Sequence, residues 1–325
     1  MRRLVGLLAL VLVTLVPARV IAQQDWPNHA VTMVVGFSAG GGTDVLGRIV
    51  ARKLSEELGQ QVVVENIGGA GGMVGSARVA KSPPDGYTMV MCTRADAINQ
   101  TLYKKPLYNF LTDLVPVVLI ADQPGVLITR NEFPANTMPE FIDYVKKHHA
   151  TMQFASAGAG STGHIDAELL NAAIGVKVTH VPYRGGGPAM QDIIGGRVDY
   201  IVTLTGSAVP LIQSKTVKAI AVLTKERAPF LPDVKSSWEQ GFTSLDASTW
   251  FGFCVPKGTP EPVIKRLHDA TVASIEDKVV QKQMMTGGAI AVAPERRSTE
   301  YFKAYVPKEV EKNAGPIHAA GLSIQ

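Results

Sequence analysis

The sequence is poor in cysteine, in charge and in aromatic side chains, and each shortage excludes a class of protein. Two cysteines in 325 residues cannot form the dense disulfide framework of a small secreted domain. Charged residues make up 18% and hydrophobic residues 46%, a balance that excludes intrinsic disorder and predicts a sizeable core. The 31 glycines show no collagen-like repeat. The length predicts about two domains.

The first 22 residues have the pattern of a secretory signal peptide. Arg2 and Arg3 precede an apolar run from 4 to 16, and Val20 and Ala22 supply small residues at −3 and −1. The run is too short to span a bilayer comfortably, and a retained anchor is the alternative. No lipobox-like cysteine follows it. We expect cleavage near Ala22 and a periplasmic protein.

The basic character of the full chain comes mostly from this leader. The chain has 32 basic and 28 acidic residues, and removal of 1–22 takes away Arg2, Arg3 and Arg19 and no acid. The mature chain therefore has 29 bases against 28 acids, a charge of +1. A chain so close to neutrality gives no support to nucleic-acid binding.

Two βαβ patterns with glycine-rich turns dominate the mature sequence. In the first, a strand at 31–36 leads into the turn 37–42, a helix that ends at Gly59, and a strand at 61–65. Thr43 or Asp44 is expected to cap this helix. Because the two strands are joined through a helix, they are expected to be parallel.

The second pattern repeats the first. A strand at 152–156 leads into the turn 156–160, a helix capped by Ser161 or Thr162, and a strand at 176–181. Ser-Ala-Gly occurs in both turns, and each pattern continues into a double glycine, a helix (73–80 and 188–194) and a strand (87–91 and 198–202). The repetition predicts two α/β lobes of similar build.

The C-terminal part is expected to complete the first lobe. The segment TWFGFCVP after about residue 245 has the pattern of a strand, and a helix is expected from 263 to 276. If these elements pack back on the first lobe, lobe 1 comprises 23–125 and 245–325 and lobe 2 comprises 126–244. Cys92 and Cys254 either pair in an oxidising compartment or remain small buried residues.

The two glycine-rich turns suit an anion. A turn between a strand and a helix exposes backbone N–H groups at the positive end of the helix dipole. Two such turns facing each other across a cleft can hold an anion, above all a carboxylate, from both sides. For either turn alone, the simpler explanation is that glycines make tight turns.

Three enzyme motifs compete with this interpretation. GFSAG at 36–40 fits the nucleophile elbow of a serine hydrolase with Ser38 as nucleophile, but too little mature chain precedes it for the strands of that fold. GAGSTG at 158–163 fits a dinucleotide-binding turn, but the next strand ends without an acidic residue. Walker A and metal-binding histidine spacings are absent. We expect no catalysis and no cofactor or metal.

The chain resembles the Bug receptors, the extracytoplasmic solute-binding proteins of the tripartite tricarboxylate transporter type. The resemblance runs in register over nearly the whole mature chain. The segments that carry it are WPNHAVTMVVGFSAGGGTDVLGRIVARKL, VVVENIGGAGGMVGSARVAKSPPDGYTM, INQTLY, FASAGAGSTGHIDAELL, VPYRGGGPAMQDIIGGRVDY and WFGFCVPKGTPEPVIKRL.

The resemblance implies a two-lobed periplasmic-binding-protein (Venus flytrap) fold, α/β in class, in which each lobe is a mainly parallel sheet flanked by helices. It implies a monomeric receptor that clamps a small carboxylate and delivers it to a membrane permease or a sensor. The implied ligand contacts are Phe37, Ser38, Ala39, Gly40, Gly41, Thr43 and Asp44 in the first loop, Ala157, Gly158, Ala159, Gly160, Ser161 and His164 in the second, and Thr93, Asp96, Tyr183, Arg184, Gly185 and Thr203 elsewhere in the cleft.

Charged residues near this cleft leave the ligand open. Arg184 is the strongest candidate for a charge-assisted contact, and Arg94 could pair a distal carboxylate. Asp96 could select an ammonium group, whereas Asp44 is expected to cap its helix rather than face an anion. Each could equally be a surface or ion-paired residue. The first loop also lacks the Pro-rich turn usual in the family, and 98–100 lacks the family's Pro.

Overall fold

The computed structural model describes residues 26–325, so the predicted leader at 1–22 and its cleavage site lie outside the described residues. The elements, in chain order, are β1 (Val31–Val35), α1 (Gly42–Leu58), β2 (Val62–Asn66), α2 (Met73–Ala80), β3 (Thr88–Thr93), α3 (Arg94–Leu102), α4 (Phe110–Asp113), β4 (Leu114–Thr129), α5 (Met138–His148), β5 (Gln153–Ser156), α6 (Thr162–Ala173), β6 (Thr179–Pro182), α7 (Gly186–Ile194), β7 (Tyr200–Leu204), α8 (Thr205–Gln213), β8 (Lys218–Val222), β9 (Ser248–Pro256), α9 (Glu261–Glu276), α10 (Lys278–Thr286), β10 (Ile290–Ala291) and α11 (Thr299–Ala319).

The strands form two groups that meet on β4. The first group has the order β2-β1-β3-β9-β4-β10, with β1 parallel to β2 and β3. The second has the order β8-β4-β7-β5-β6, with β5 parallel to β6 and β7. We call these groups, with the helices that cover them, the first and second lobes.

The parallel pairings predicted from the two βαβ patterns are confirmed, but each sheet is mixed rather than mainly parallel. β9 runs antiparallel to β3 and β4, and β4 runs antiparallel to β7 and β8. β4 continues from the first sheet into the second, whereas within the described residues β9 pairs only with β3 and β4 and is entered from the second lobe at Ala247. Strands entered in this way need no crossover helix and can pair antiparallel.

The lobes are joined where β4 and β9 cross between the sheets. β4 pairs with β9 up to Pro124 and with β7 from Gly125 onward. At the crossing, the Gly125 amide donates to the Ala247 carbonyl at 2.8 Å, and the Ala247 amide donates to the Leu223 carbonyl at 2.7 Å. The predicted boundaries at 125/126 and 244/245 lie within three residues of these crossings and stay a prediction.

Helices cover both faces of each sheet, as buried parallel strands require. In the first lobe, α1, α9 and α10 pack on one face around Leu46, Leu54 and Leu267, and the other face packs against α2, α3 and α11. In the second lobe, α5 and α6 cover one face around Phe141 and Phe154, and α7 and α8 cover the other. Within residues 26–325, no helix is long and apolar enough to cross a bilayer.

The two cysteines are paired. Cys92 in β3 and Cys254 in β9 are both fully buried and form a disulfide with their Cα atoms 6.0 Å apart. The antiparallel register of β3 and β9 brings the two side chains together inside the first lobe. Of the two alternatives left open by the sequence, the structure therefore has the disulfide.

Helix α1 begins earlier than predicted. Its N-cap is Gly41, and no side chain caps it, whereas Thr43 and Asp44 lie in its first turn. Ser161 caps α6 as predicted, with its hydroxyl accepting from the His164 amide. The difference arises because three successive glycines let the chain enter the α1 conformation before the first polar side chain.

Candidate ligand-binding cleft

A small cavity lies between the lobes at the ends of the parallel strands. Its volume is about 30 Å³, which is room for about two water molecules. Seven of the expected contact residues line it, three from the second lobe and four from the first: Phe37, Gly41, Thr43, Thr93, Ala157, Ser161 and Thr203.

Helix N-termini surround this cavity. The N-cap or first-turn residues of five helices contribute to its wall, and each of these helices has at least nine residues: Gly41, Gly42 and Thr43 of α1, Thr93 of α3, Ser161, Thr162 and Gly163 of α6, Gly186 of α7 and Leu204 of α8. Such an end presents N–H groups that the helix itself leaves unpaired and the positive end of a helix dipole. Asp44 and Asp96 lie in the first turns of α1 and α3, whereas α6, α7 and α8 have no acidic residue there. The cavity is therefore a site of positive potential, suited to an anion.

The described residues that line the cavity include no acidic, basic or histidine side chain. Its polar groups are the hydroxyls of five threonines and one serine together with backbone amides, and Phe37, Val202 and Phe251 supply apolar walls. The positive potential thus comes from backbone dipoles alone. No group of three or more metal-ligating side chains was found among the described residues.

Glycine backbones close the mouth of the cleft. A Cβ on Gly71 of the first lobe would lie 2.4 Å from the carbonyl carbon of Gly160 in the second, and a Cβ on Gly68 would lie 2.4 Å from the Arg184 oxygen. The Ser38 amide also donates to the Arg184 carbonyl at 3.1 Å. Any side chain at these glycines would hold the lobes apart, so the glycines are required for the contact between the lobes.

Seven of the expected residues lie in this contact rather than in the cavity wall, among them Ser38 and Gly160. Ala39 faces Gly187 across the cleft, and Ala159 accepts a hydrogen bond from the Tyr103 hydroxyl at 3.1 Å. The other three, Gly40, Gly158 and Gly185, pack on backbone of the opposite lobe. Their expected role as ligand contacts stays a prediction.

Asp44, one of the expected ligand contacts, faces the loop and does not line the cavity. Its carboxylate accepts hydrogen bonds from the Gly40 amide, from Arg48 and from Asn66. Burial raises the pKa of Asp44, but these hydrogen bonds outweigh it and hold the pKa below its usual value. The charge is thus neutralised within the first lobe and does not repel an anion in the cleft.

The structure corrects the expectation that Asp96 meets a ligand. Its carboxylate caps α3 by accepting from the Thr93 amide at 2.7 Å, and it also accepts from Ser76 and Tyr108. The side chain is buried and does not line the cavity. Burial raises the pKa of Asp96, against the effect of the three hydrogen bonds. The carboxylate has no free oxygen to offer an ammonium group.

Arg94 joins the lobes instead of pairing a ligand. Its guanidinium donates to both carboxylate oxygens of Asp166 in α6, at 2.9 and 3.1 Å, and to Asn313 in α11 at 2.9 Å. The Arg94 and Asp166 side chains are only 9% and 3% exposed. The expected distal-carboxylate contact is therefore replaced by a buried ion pair across the lobe interface.

Arg184 and Tyr183 also point elsewhere. Arg184 is exposed and lines an open outer groove instead of the cavity, and its expected charge-assisted contact stays a prediction. The Tyr183 hydroxyl donates to Asp192, which is also paired with Arg197. Of residues 183–186, only Gly186 lines the cavity. Since glycine has no side chain, this segment contributes only backbone to the cavity wall.

His164 supports the second loop by a hydrogen bond and does not line the cavity. Its Nδ1 accepts from the Gly160 amide at 3.2 Å, and its ring stacks on His180 with centroids 4.1 Å apart. Burial, with a smaller contribution from His180, lowers the pKa of His164 to about 3, so the ring is neutral at physiological pH. A neutral Nδ1 is the state that can accept this hydrogen bond.

Ser38 has no activating partner. Its hydroxyl is buried against Gly185 and makes no hydrogen bond among the described residues. A serine nucleophile requires a base within hydrogen-bond reach. The hydrolase alternative is therefore unsupported.

Sequence reasoning missed part of the wall. Thr249 and Phe251 come from β9, and Val202 and Leu204 come from β7. No motif marks these residues, although the predicted strands contain all of them except Leu204, which lies beyond the strand predicted at 198–202. Because side chains alternate along a strand, Thr249 and Phe251 lie on the same face of β9. The sequence did not show where β9 lies in the sheet, so it did not show that this face lines the cleft.

Solved structures share this fold. The periplasmic binding protein BugD is 36% identical, with a TM-score of 0.89 over 92% of this chain and 100% of that one. MatC from Rhodopseudomonas palustris with bound malate is 33% identical, with a TM-score of 0.87 over 90% and 100%. A protein from R. palustris with adipate is 30% identical, with a TM-score of 0.87 over 92% and 99%. The expected two-lobed α/β fold is thus confirmed, and its class is that of periplasmic solute-binding receptors.

The family follows from the sequence comparisons. A model described as tripartite tricarboxylate transporter family receptor matches residues 46–322. A UPF0065 protein from Agrobacterium vitis is 37% identical over 95% of this chain and 89% of that protein, and BugT from Bordetella pertussis is 31% identical over 100% and 99%. The chain belongs to the tripartite tricarboxylate transporter receptor family, as the resemblance indicated. The cleavage position near Ala22 stays a prediction.

Proposed function

We propose that this receptor closes on a small carboxylate, holds it at the N-termini of helices from both lobes, and delivers it to a tripartite tricarboxylate-type membrane transporter or a sensor. The observation that carries the proposal is the cavity wall, where five helix N-termini meet without one charged side chain. An anion there is attracted by backbone dipoles and finds unpaired N–H donors. No catalytic step and no cofactor are part of the proposal.

The bound acids of two relatives agree with this ligand class. Malate and adipate are both small carboxylates, and the proteins that carry them cover nearly the whole of this fold. For this chain, we propose that Phe37, Gly41, Thr43, Thr93, Ala157, Ser161 and Thr203 contribute to the ligand contacts. The expected residues that lie in the contact between the lobes, Ser38, Ala39, Gly40, Gly158, Ala159, Gly160 and Gly185, contribute through the closure of the lobes.

Binding requires the lobes to move. A cavity of about 30 Å³ is too small for an acid of several heavy atoms, so we propose that the lobes separate about the two crossings at Gly125 and Ala247 and close again on the ligand. With this motion, the boundaries 23–125 plus 245–325 and 126–244 describe the two moving bodies. Closure expels water and strengthens the electrostatic attraction between the helix N-termini and the carboxylate.

Thermal unfolding tests the proposal. The mature chain, 23–325, is unfolded and refolded to remove carried-over ligand and is then heated with mono-, di- and tricarboxylates, amino acids and aromatic acids. An acid at 100 times its Kd adds about 2.7 kcal/mol of stability, or about 4 °C in Tm for a chain of this size. A shift with one class of acid is expected. A folded protein with no shift for any carboxylate would contradict the carboxylate clamp.

A further inference from the structure

Two buried polar side chains beside the cavity lack hydrogen-bond partners. Thr249 in β9 is 1% exposed and lines the cavity, and Gln123 in β4 is fully buried and lies opposite Thr249 in the β4–β9 ladder. Neither the Thr249 hydroxyl nor either polar atom of the Gln123 carboxamide has a partner among the described residues. Such groups lower the stability of a fold unless something hydrogen-bonds to them.

Gln123 is held at the start of two helices. A Cβ on Gly42, the first residue of α1, would lie 2.9 Å from its side-chain oxygen, and a Cβ on Gly206 in α8 would lie 2.7 Å from its nitrogen. Gly42 lines the cavity together with Thr249. The carboxamide and the hydroxyl are therefore two neutral groups on the crossing strands, next to the helix N-termini proposed to hold the carboxylate.

The chemistry of this side of the cavity limits the group it can take. A hydroxyl and a carboxamide can donate and accept hydrogen bonds but carry no charge. The described residues that line the cavity offer no acidic side chain for an ammonium group. An uncharged ligand group that both donates and accepts, such as a hydroxyl, fits both partners.

We propose that Thr249 and Gln123 are specificity-determining residues that hydrogen-bond a hydroxyl group of the ligand and so select hydroxy acids over the corresponding unsubstituted acids. The inference rests on the proposed function, because the helix N-termini hold the carboxylate of the same ligand. It also explains why two unpaired polar groups are retained in a buried position.

The proposal predicts opposite effects on stability and affinity. Thr249→Val keeps the shape and removes the unpaired hydroxyl, so it raises the Tm of the ligand-free protein by about 2–4 °C. The same change removes a hydrogen bond to the ligand and weakens the binding of a hydroxy acid about threefold to tenfold. Gln123→Met is likewise expected to raise the Tm of the ligand-free protein and to weaken the binding of a hydroxy acid.

The test is isothermal titration of the mature chain with matched acids: lactate and propionate, 3-hydroxybutyrate and butyrate, malate and succinate, 4-hydroxybenzoate and benzoate. The wild type is expected to bind the hydroxylated member of at least one pair about threefold to tenfold more tightly. In Thr249→Val the ratio of the Kd of the unsubstituted acid to the Kd of the hydroxylated acid falls to about one, while the Kd of the unsubstituted acid is unchanged.

Thr129→Val is the matched control. Thr129 in β4 is also fully buried with an unpaired hydroxyl, but it does not line the cavity. Its replacement should raise the Tm and leave the preference intact. If the wild type has no preference in any pair, or if Thr249→Val weakens both members equally, the inference is wrong and the proposed function stands. If none of the eight acids binds but another acid of the thermal panel does, the inference is wrong and the proposed function stands. If no carboxylate of either panel binds, both fail.

Discussion

At the scale of single residues, two stacked histidines hold the second glycine turn in place. His164 accepts from the Gly160 amide, and His180 forms a short hydrogen bond of 2.6 Å with Ser156, whose hydroxyl also accepts from the Gly158 amide. Burial lowers the pKa of His180 to about 4 and that of His164 to about 3. The turn is thus supported by two rings that stay neutral.

This support makes stability depend on pH. Between pH 6.5 and about 3, the unfolded chain binds a proton at residue 164 that the folded protein does not bind, so stability is full above pH 6.5 and falls as the pH drops. His164→Asn keeps an acceptor for the Gly160 amide but does not titrate. We expect the free energy of unfolding of the variant to fall by about 2 kcal/mol less than that of the wild type between pH 7.5 and 4.5.

Urea unfolding at each pH measures this difference. Groups far from residue 164 titrate equally in both proteins, so the difference between the two curves measures the loss of the His164 ring together with its effect on the stacked His180 ring. Parallel curves for the wild type and His164→Asn would show that the ring does not resist protonation in the folded state.

At the scale of elements, the helix N-terminus is the unit proposed to bind the carboxylate. α6 has no acidic residue in its first turn, and its first residue, Thr162, lines the cavity. An acidic side chain there interacts favourably with the helix dipole but occupies the place of the ligand's charge. Folding and binding can therefore be separated by one substitution.

We expect Thr162→Asp to keep or raise the Tm and to weaken carboxylate binding roughly 100-fold. Two like charges about 5 Å apart repel by about 3 kcal/mol at an effective dielectric constant of 20. Thr162→Asn has a similar size without the charge and is the control, which should bind within a few-fold of wild type. Equal losses in the Asp and Asn variants would indicate a steric effect instead of an electrostatic one.

The elements also show what the sequence could and could not predict. The turns before α1 and α6 were predictable because they combine a strand, a glycine run and an amphipathic helix in one short segment. β4 was not predicted as an element, since prolines at 116 and 124 and a glycine at 125 interrupt it, and its course is decided by distant partners. The partners of Arg94 and Asp96 also lie far away in sequence, so the pattern showed charges near the cleft but not their neutralisation.

At the scale of the whole molecule, a buried ion pair links the two lobes. Arg94 and Asp166 come from α3 and α6, and an apolar cluster that includes Ile98, Ile165 and Ile317 lies on the same interface. If the lobes separate, water reaches both charges. The attraction between the Arg94 and Asp166 charges is therefore strongest when the lobes are closed.

Asp166→Asn is expected to favour the open form. It leaves the Arg94 charge unpaired at the closed interface, which costs roughly 3 kcal/mol or more. The affinity for the strongest acid of the thermal panel should fall roughly 100-fold, although residue 166 does not line the cavity. The double variant Arg94→Met and Asp166→Leu removes both charges and should recover most of the affinity. Wild-type affinity in Asp166→Asn would show that the pair does not contribute to closure.

The position of β9 determines the order in which the lobes can be completed. β9 lies between β3 and β4 in the first sheet, yet it follows every strand of the second sheet in the sequence. As the chain emerges from its N-terminus, whether from a ribosome or through a membrane, the second lobe has all its strands before 248–256 arrive. The lobe that starts first is the one that finishes last, and until then β3 and β4 lack their common neighbour.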